Sequence, residues 1–70
     1  MKQQQLLAAL IRFQGAWLPY SAGIIADTAE VLSNKHRGDI PANIVADTLR
    51  RYTPPSKRLE VEAFIAGGMA

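Results

Sequence analysis

The feature that most constrains this chain is a near-duplication. Ala22-Gly23-Ile24-Ile25-Ala26-Asp27-Thr28 is matched twenty positions on by Ala42-Asn43-Ile44-Val45-Ala46-Asp47-Thr48, identical at five of seven places and conservative at Ile25/Val45. Each copy sets apolar groups at spacings that share one helical face, so two short amphipathic helices with similar buried sides are expected. Ile24, Ile25, Thr28, Val31 and Leu32 form the apolar side of the first, and Ile44, Val45, Thr48, Leu49 and Tyr52 that of the second.

Ahead of the pair, Leu6, Leu10, Phe13 and Trp17, flanked by Leu7 and Ile11, repeat at three and four residues. A helix over about residues 3–16 follows, weakened at Gly15 and unable to pass Pro19. Ser21 is placed to cap a helix over about 22–33, and Pro41 suits the first turn of one over about 41–52. Between them, Asn34-Lys35-His36-Arg37-Gly38-Asp39 contains no apolar residue and reads as an exposed loop, with Gly38 free to take a positive backbone angle. Pro54 and Pro55 stop the third helix.

The last stretch has two readings. Ser56 can cap a helix over about 57–66 ended by Gly67 and Gly68, whereas the alternation of Leu59, Val61 and Ala63 with Arg58, Glu60 and Glu62 has the period of a strand. A lone strand needs a pairing partner, and nothing else in the chain reads as one. The expected fold is therefore all-α: a single small domain of three to four helices over residues 1–70, with a helix-turn-helix-like arrangement of the repeated pair.

With 70 residues, the chain hides only about 60% of the surface its unfolded form exposes. Yet 49% of its residues are hydrophobic and only 20% charged. Apolar surface in excess of a small core favours self-association, a dimer above all, or docking on another protein. Trp17 and Tyr20 in the first connector, and Phe64 and Ile65 near the end, are the candidate interface residues.

Net charge is only +2, but Arg50, Arg51, Lys57 and Arg58 fall in nine residues without an acid. If the repeated pair acts as a helix-turn-helix unit, the third helix enters the major groove of duplex DNA. Asn43 and Arg50 then face base edges, while Lys35, His36, Arg37, Arg51, Lys57 and Arg58 hold phosphates. Against this stand a loop longer than the simplest motif and Asp47 on the same side. Two functions are thus expected from different classes: a regulator that binds duplex DNA, and an adaptor or inhibitor that docks an apolar helical face onto a protein.

Enzymatic chemistry is not expected. His36 lies between two cations, with no serine or cysteine to complete a nucleophile and base set. Asp27 and Asp47 could share a divalent cation only with further ligands, and both read better as solvated positions. No phosphate-binding glycine loop, zinc spacing or dinucleotide fingerprint is present, so no cofactor is implied. The absence of cysteine fits a reducing compartment, and no apolar run nears the roughly 18 residues of a membrane span or resembles a signal peptide. A cytoplasmic protein that does not enter membranes is expected.

Overall fold

The computed structural model describes residues 1–14 and 22–69. Leu6, Leu10 and Phe13 recur one turn apart, and they form the buried stripe of α1 (Gln3–Gln14) together with Ala9. The repeat supplies α2 (Ala22–Lys35) and α3 (Ala42–Tyr52), and α4 spans Arg58–Ala66 after a short 3-10 turn at Pro55–Lys57. The described residues are all helical or irregular and contain no strand.

Among the described residues ten make the core cluster: Leu6, Ala9, Leu10 and Phe13 of α1, Ile25 and Ala29 of α2, Ile40 just ahead of α3, Val45 and Leu49 of α3, and Val61 of α4. The closest helix pairs are α1 with α2, α1 with α3, and α3 with α4. The two repeated helices are therefore joined chiefly through α1. Phe13 meets Phe64 edge to face with centroids 5.3 Å apart, which brings α4 back to the end of α1.

The duplication persists as structure beyond the seven matched residues. Ile25 and Val45 are both fully buried, as are Ala29 and Leu49, four residues on. Thr28 donates its hydroxyl to the Ile24 carbonyl at 2.8 Å, and Thr48 does the same to Ile44 at 2.7 Å. Ser33 and Thr53 are buried at equivalent places, and the Thr53 hydroxyl donates to the Leu49 carbonyl at the end of α3.

Several boundaries differ from the sequence expectation. α2 runs two residues further, to Lys35, because Asn34 and Lys35 tolerate helix and the stop lies beyond them. Gly38 N–H donates to the Ser33 carbonyl at 2.7 Å and Arg37 N–H to that of Asn34 at 3.4 Å, a double closure in which Arg37 and Gly38 both take positive φ. Pro41 stands just before α3 in extended geometry, its carbonyl accepting from Val45 N–H at 3.0 Å. Ser56 does not cap α4; it lies inside the 3-10 turn, and Lys57 precedes the helix with no side-chain cap.

The strand alternative for the last segment is overturned. A strand would set Leu59 and Val61 on one face, whereas the helix turns them apart, so that Val61 is fully buried and Leu59 is 87% exposed. Position 24 also departs from expectation. Ile24 and Val31 both fall on the expected apolar side of α2, but they are 47% and 62% exposed because α1 covers the side carrying Ile25 and Ala29. The expected last residues of the first helix, the Ser21 cap, and the candidates Trp17 and Tyr20 lie outside the described residues.

Met1 is tied to the segment before α3: its carbonyl accepts from Ile40 N–H and its ammonium donates to the Ile40 carbonyl, each at 2.8 Å. The ammonium also reaches the Asp39 carboxylate at 3.2 Å, which holds that carboxyl below its ordinary range.

Since α1 is the shared support of α2 and α3, truncating its buried stripe should affect the whole molecule. Leu10→Ala is expected to cost about 2–5 kcal/mol, comparable to the entire stability of a domain this small. Leu59→Ala should change stability by less than about 0.5 kcal/mol. Urea unfolding followed by far-ultraviolet circular dichroism checks both; similar losses for the two variants would contradict the packing described.

Candidate functional site

The structure distributes the expected cations unevenly. Arg50 on α3 donates from Nε and Nη2 to both carboxylate oxygens of Glu62 on α4, at 2.8 and 2.9 Å. Asp47 lies 3.8 Å from the same guanidinium, and Arg58 donates to Glu62 at 3.2 Å. Lys57 is 3.7 Å from Glu60. Three of the candidate phosphate or base contacts are thereby engaged with acids of their own chain, and the two-pronged Arg50–Glu62 pair fastens α4 to α3.

Lys35 and Arg37, at the end of α2, are exposed and make no ion pair among the described residues. His36 between them is half-buried. Asn43 is exposed in the first turn of α3, and Arg51 is exposed near its end, 5.8 Å over the ring of its neighbour Tyr52. Phe64 and Ile65 are half-buried and pack on the chain's own core; Phe64 also lies beneath the Arg12 guanidinium, at 5.7 Å.

Ile24, Thr28, Val31 and Leu32, which the periodicity sets on one apolar helical side, line an open surface groove. This groove of about 430 Å³ runs between α2 and α3, lined by Ile24, Asp27, Thr28, Val31 and Leu32 on one side and by Thr48, Arg51 and Tyr52 on the other. Two of its large aliphatic side chains, Ile24 and Val31, stand seven residues apart on one stripe of α2 and face solvent. Asp27 and Arg51 provide one charge of each sign at its edge.

A signal for this surface does exist in the sequence. Continuing the duplication past Thr28 and Thr48 aligns Val31 with Arg51. The position is a solvent-facing one in both helices, so a valine there is an apolar residue at a place where the other copy carries a charge. The Arg50–Glu62 pair has no comparable signal, because twelve residues and two turns separate its members and only the return of α4 brings them together.

Asp27 and Asp47 are both exposed. Among the described residues no group of three or more histidine, cysteine or acidic side chains is arranged to hold a metal ion. Among the described residues no helix is long and apolar enough to cross a membrane. Comparison of the chain with family models, with curated proteins and with solved structures finds no match.

The Glu62 carboxyl lies below its ordinary pKa, first because Arg50 hydrogen-bonds to its charged form and secondarily because of Arg58. A carboxyl lowered on folding contributes stability that is complete above its unfolded-state pKa and is lost as pH falls through the lower folded value. A carbon-detected titration of Glu62 should therefore give a midpoint below that of glutamate in a short peptide, and Arg50→Ala should move it upward. A midpoint at or above the peptide value would contradict the pairing.

Proposed function

We propose that this chain is a small non-enzymatic docking module, of adaptor or regulatory type, that works by burying the α2–α3 groove against an apolar helical surface of a protein. The observation that carries this reading is the exposure of Val31 at the position where α3 bears Arg51. With Ile24 one heptad earlier and Tyr52 and Leu32 lining the same groove, it forms a stripe of the kind into which an amphipathic helix lays its own apolar side chains. Desolvating such a stripe contributes on the order of 25 cal/mol for each Å² of apolar area removed from water.

The rival reading is a regulator that binds duplex DNA through α3. Exposed Lys35, Arg37 and Arg51 favour it, since each is available to a phosphate. The pairs held by Arg50, Lys57 and Arg58 weigh against it in a limited way. Exposed ion pairs are worth only about 0–1 kcal/mol and can be exchanged for phosphate, but the carboxylates of Glu60, Glu62 and Asp47 stay at that surface and repel the nucleic-acid backbone.

One nuclear magnetic resonance experiment separates the two. The labelled chain, diluted until it sediments as a monomer, is titrated with an amphipathic leucine-lysine helical peptide and, separately, with duplex DNA at low salt. The docking reading expects the peptide to shift the signals of Ile24, Thr28, Val31, Thr48 and Tyr52, and to lose this effect in Val31→Arg. Shifts confined to DNA addition and centred on Lys35, Arg37, Asn43 and Arg51 would replace it with the DNA reading. Silence of the groove signals toward the peptide would overturn it.

A further inference from the structure

We propose that Met69 is a reversible oxidation site, whose thioether takes an oxygen atom from a hydroperoxide, and that the resulting sulfoxide unfastens the turn that closes α4 against α1. No residue lining the clefts around Met69 also lines the α2–α3 groove.

α4 and α2 end in the same way. After α4, Gly68 N–H donates to the Ile65 carbonyl at 3.1 Å and Met69 N–H to the Phe64 carbonyl at 2.9 Å. These are the inner and outer bonds of the double closure that Arg37 and Gly38 make after α2. In both endings two consecutive residues take positive φ, but glycine holds the second place after α2 and the first after α4. Met69, with φ 62°, is therefore left-handed at the place where the other ending uses Gly38. A residue with a Cβ is disfavoured in that conformation, so contacts of its side chain have to offset the cost.

Those contacts are present. Met69 is half-buried, packs against the core cluster and lines two surface clefts. One cleft takes in Ala8 and Arg12 of α1 with Phe64 of α4, and Met1 and Gln5 border both. The two methionines of the sequence are thereby gathered from its opposite ends to one spot. An apolar contact between the last residue of such a turn and the residue whose carbonyl it caps is a regular part of the motif, and here that residue is Phe64. Phe64 in turn meets Phe13, so the thioether stands at the outer end of a line of apolar groups that reaches the core.

Half-burial leaves the sulfur within reach of a small oxidant. A sulfur lone pair attacks the hydroxyl oxygen of the hydroperoxide, an S–O bond forms as the O–O bond breaks, and the hydroxyl proton passes to the departing alkoxide. The thioether is oxidised by two electrons and the hydroperoxide is reduced to an alcohol, or to water when it is hydrogen peroxide. A polar, hydrogen-bond-accepting sulfoxide then stands where an apolar group packed. Its oxygen is best served by water, so the packing that offset the left-handed backbone is lost and the residue turns outward.

Treating the full chain with dilute hydrogen peroxide tests this, read by peptide mass mapping and by amide exchange in nuclear magnetic resonance. Oxidation of Met69 is expected to speed exchange of its own amide by about tenfold or more and to shift the signals of Phe64, Gln5 and Ala8, with helical circular dichroism retained. Methionine sulfoxide reductases for both epimers should restore the starting spectrum. Met69→Leu keeps an apolar contact without sulfur; its residue-69 amide should stay slow before and after peroxide, although Met1 remains oxidisable. Met69→Gln, of similar length with a polar end, should exchange fast with no oxidant.

A Met69 left intact by peroxide that consumes free methionine would overturn the site. A sulfoxide whose amide exchanges as slowly as that of the thioether would mean that the cleft accommodates the oxygen beside Gln5 or Arg12, and would overturn the unfastening. Loosening of the peroxide-treated Met69→Leu chain equal to that of the wild type would assign the effect to Met1 and overturn the role of Met69.

Discussion

The burial of Leu6 and Leu10 is the interaction on which the rest of the molecule depends. Both side chains are fully withdrawn from water, and the helix that carries them is the common neighbour of α2 and α3. Burying a leucine contributes about 1.5–3 kcal/mol, while isolated helices of eleven to fourteen residues are marginal in water. The repeated segments therefore owe their helical state to α1 as much as to their own composition. Because α1 supports them on the side of Ile25 and Val45, the opposite side of α2 is left to solvent, and the groove is a direct consequence of that choice of face.

The electrostatic pattern divides the surface in a related way. On the α3–α4 side, acids and arginines close on one another, with Glu62 receiving both Arg50 and Arg58. That side is self-sufficient, and its cations have nearby carboxylates to leave behind before they can serve a phosphate. On α2 the acids have no such partners among the described residues, and they lie beside exposed aliphatic groups. Charges of both signs, unpaired among the described residues, thus stand around an apolar strip there, and this is the feature behind the proposed protein contact.

Much of the fold was legible in the residues. The period of Leu6, Leu10 and Phe13, the duplicated apolar faces and the paired prolines at 54 and 55 gave the helices, their number and their order, because each is a local signal that tertiary packing reinforces. The exceptions are local patterns with two solutions, between which only packing chooses. The alternation around Leu59 and Val61 is compatible with strand or helix, and the core of this chain has a place for one of those side chains and not for both. The broad apolar side of α2 could be covered from either flank, and α1 covers the flank of Ile25, which leaves Ile24 and Val31 outside.

The candidate site was legible only in part. Lys35, Arg37, Asn43 and Arg51 are exposed as a binding residue must be, but Arg50, Lys57 and Arg58 are occupied by acids whose proximity no sequence spacing announces across the α3–α4 turn. Phe64 and Ile65, apolar near a chain end, serve the chain's own core through Phe13. The pairing of Val31 with Arg51 in the duplication was the accessible clue to the groove, and it becomes informative only once the position is known to face water.

The packing of the repeated helices has one sidedness: Ile25 and Val45 inside, Ile24 and Val31 outside. Methyl relaxation in the presence of a soluble gadolinium chelate measures it directly. The Ile24 and Val31 methyls should broaden strongly in dilute solution while those of Ile25 and Val45 stay sharp. Equal broadening of all four, or methyls of Ile24 and Val31 as sharp as those of Ile25 and Val45, would contradict it.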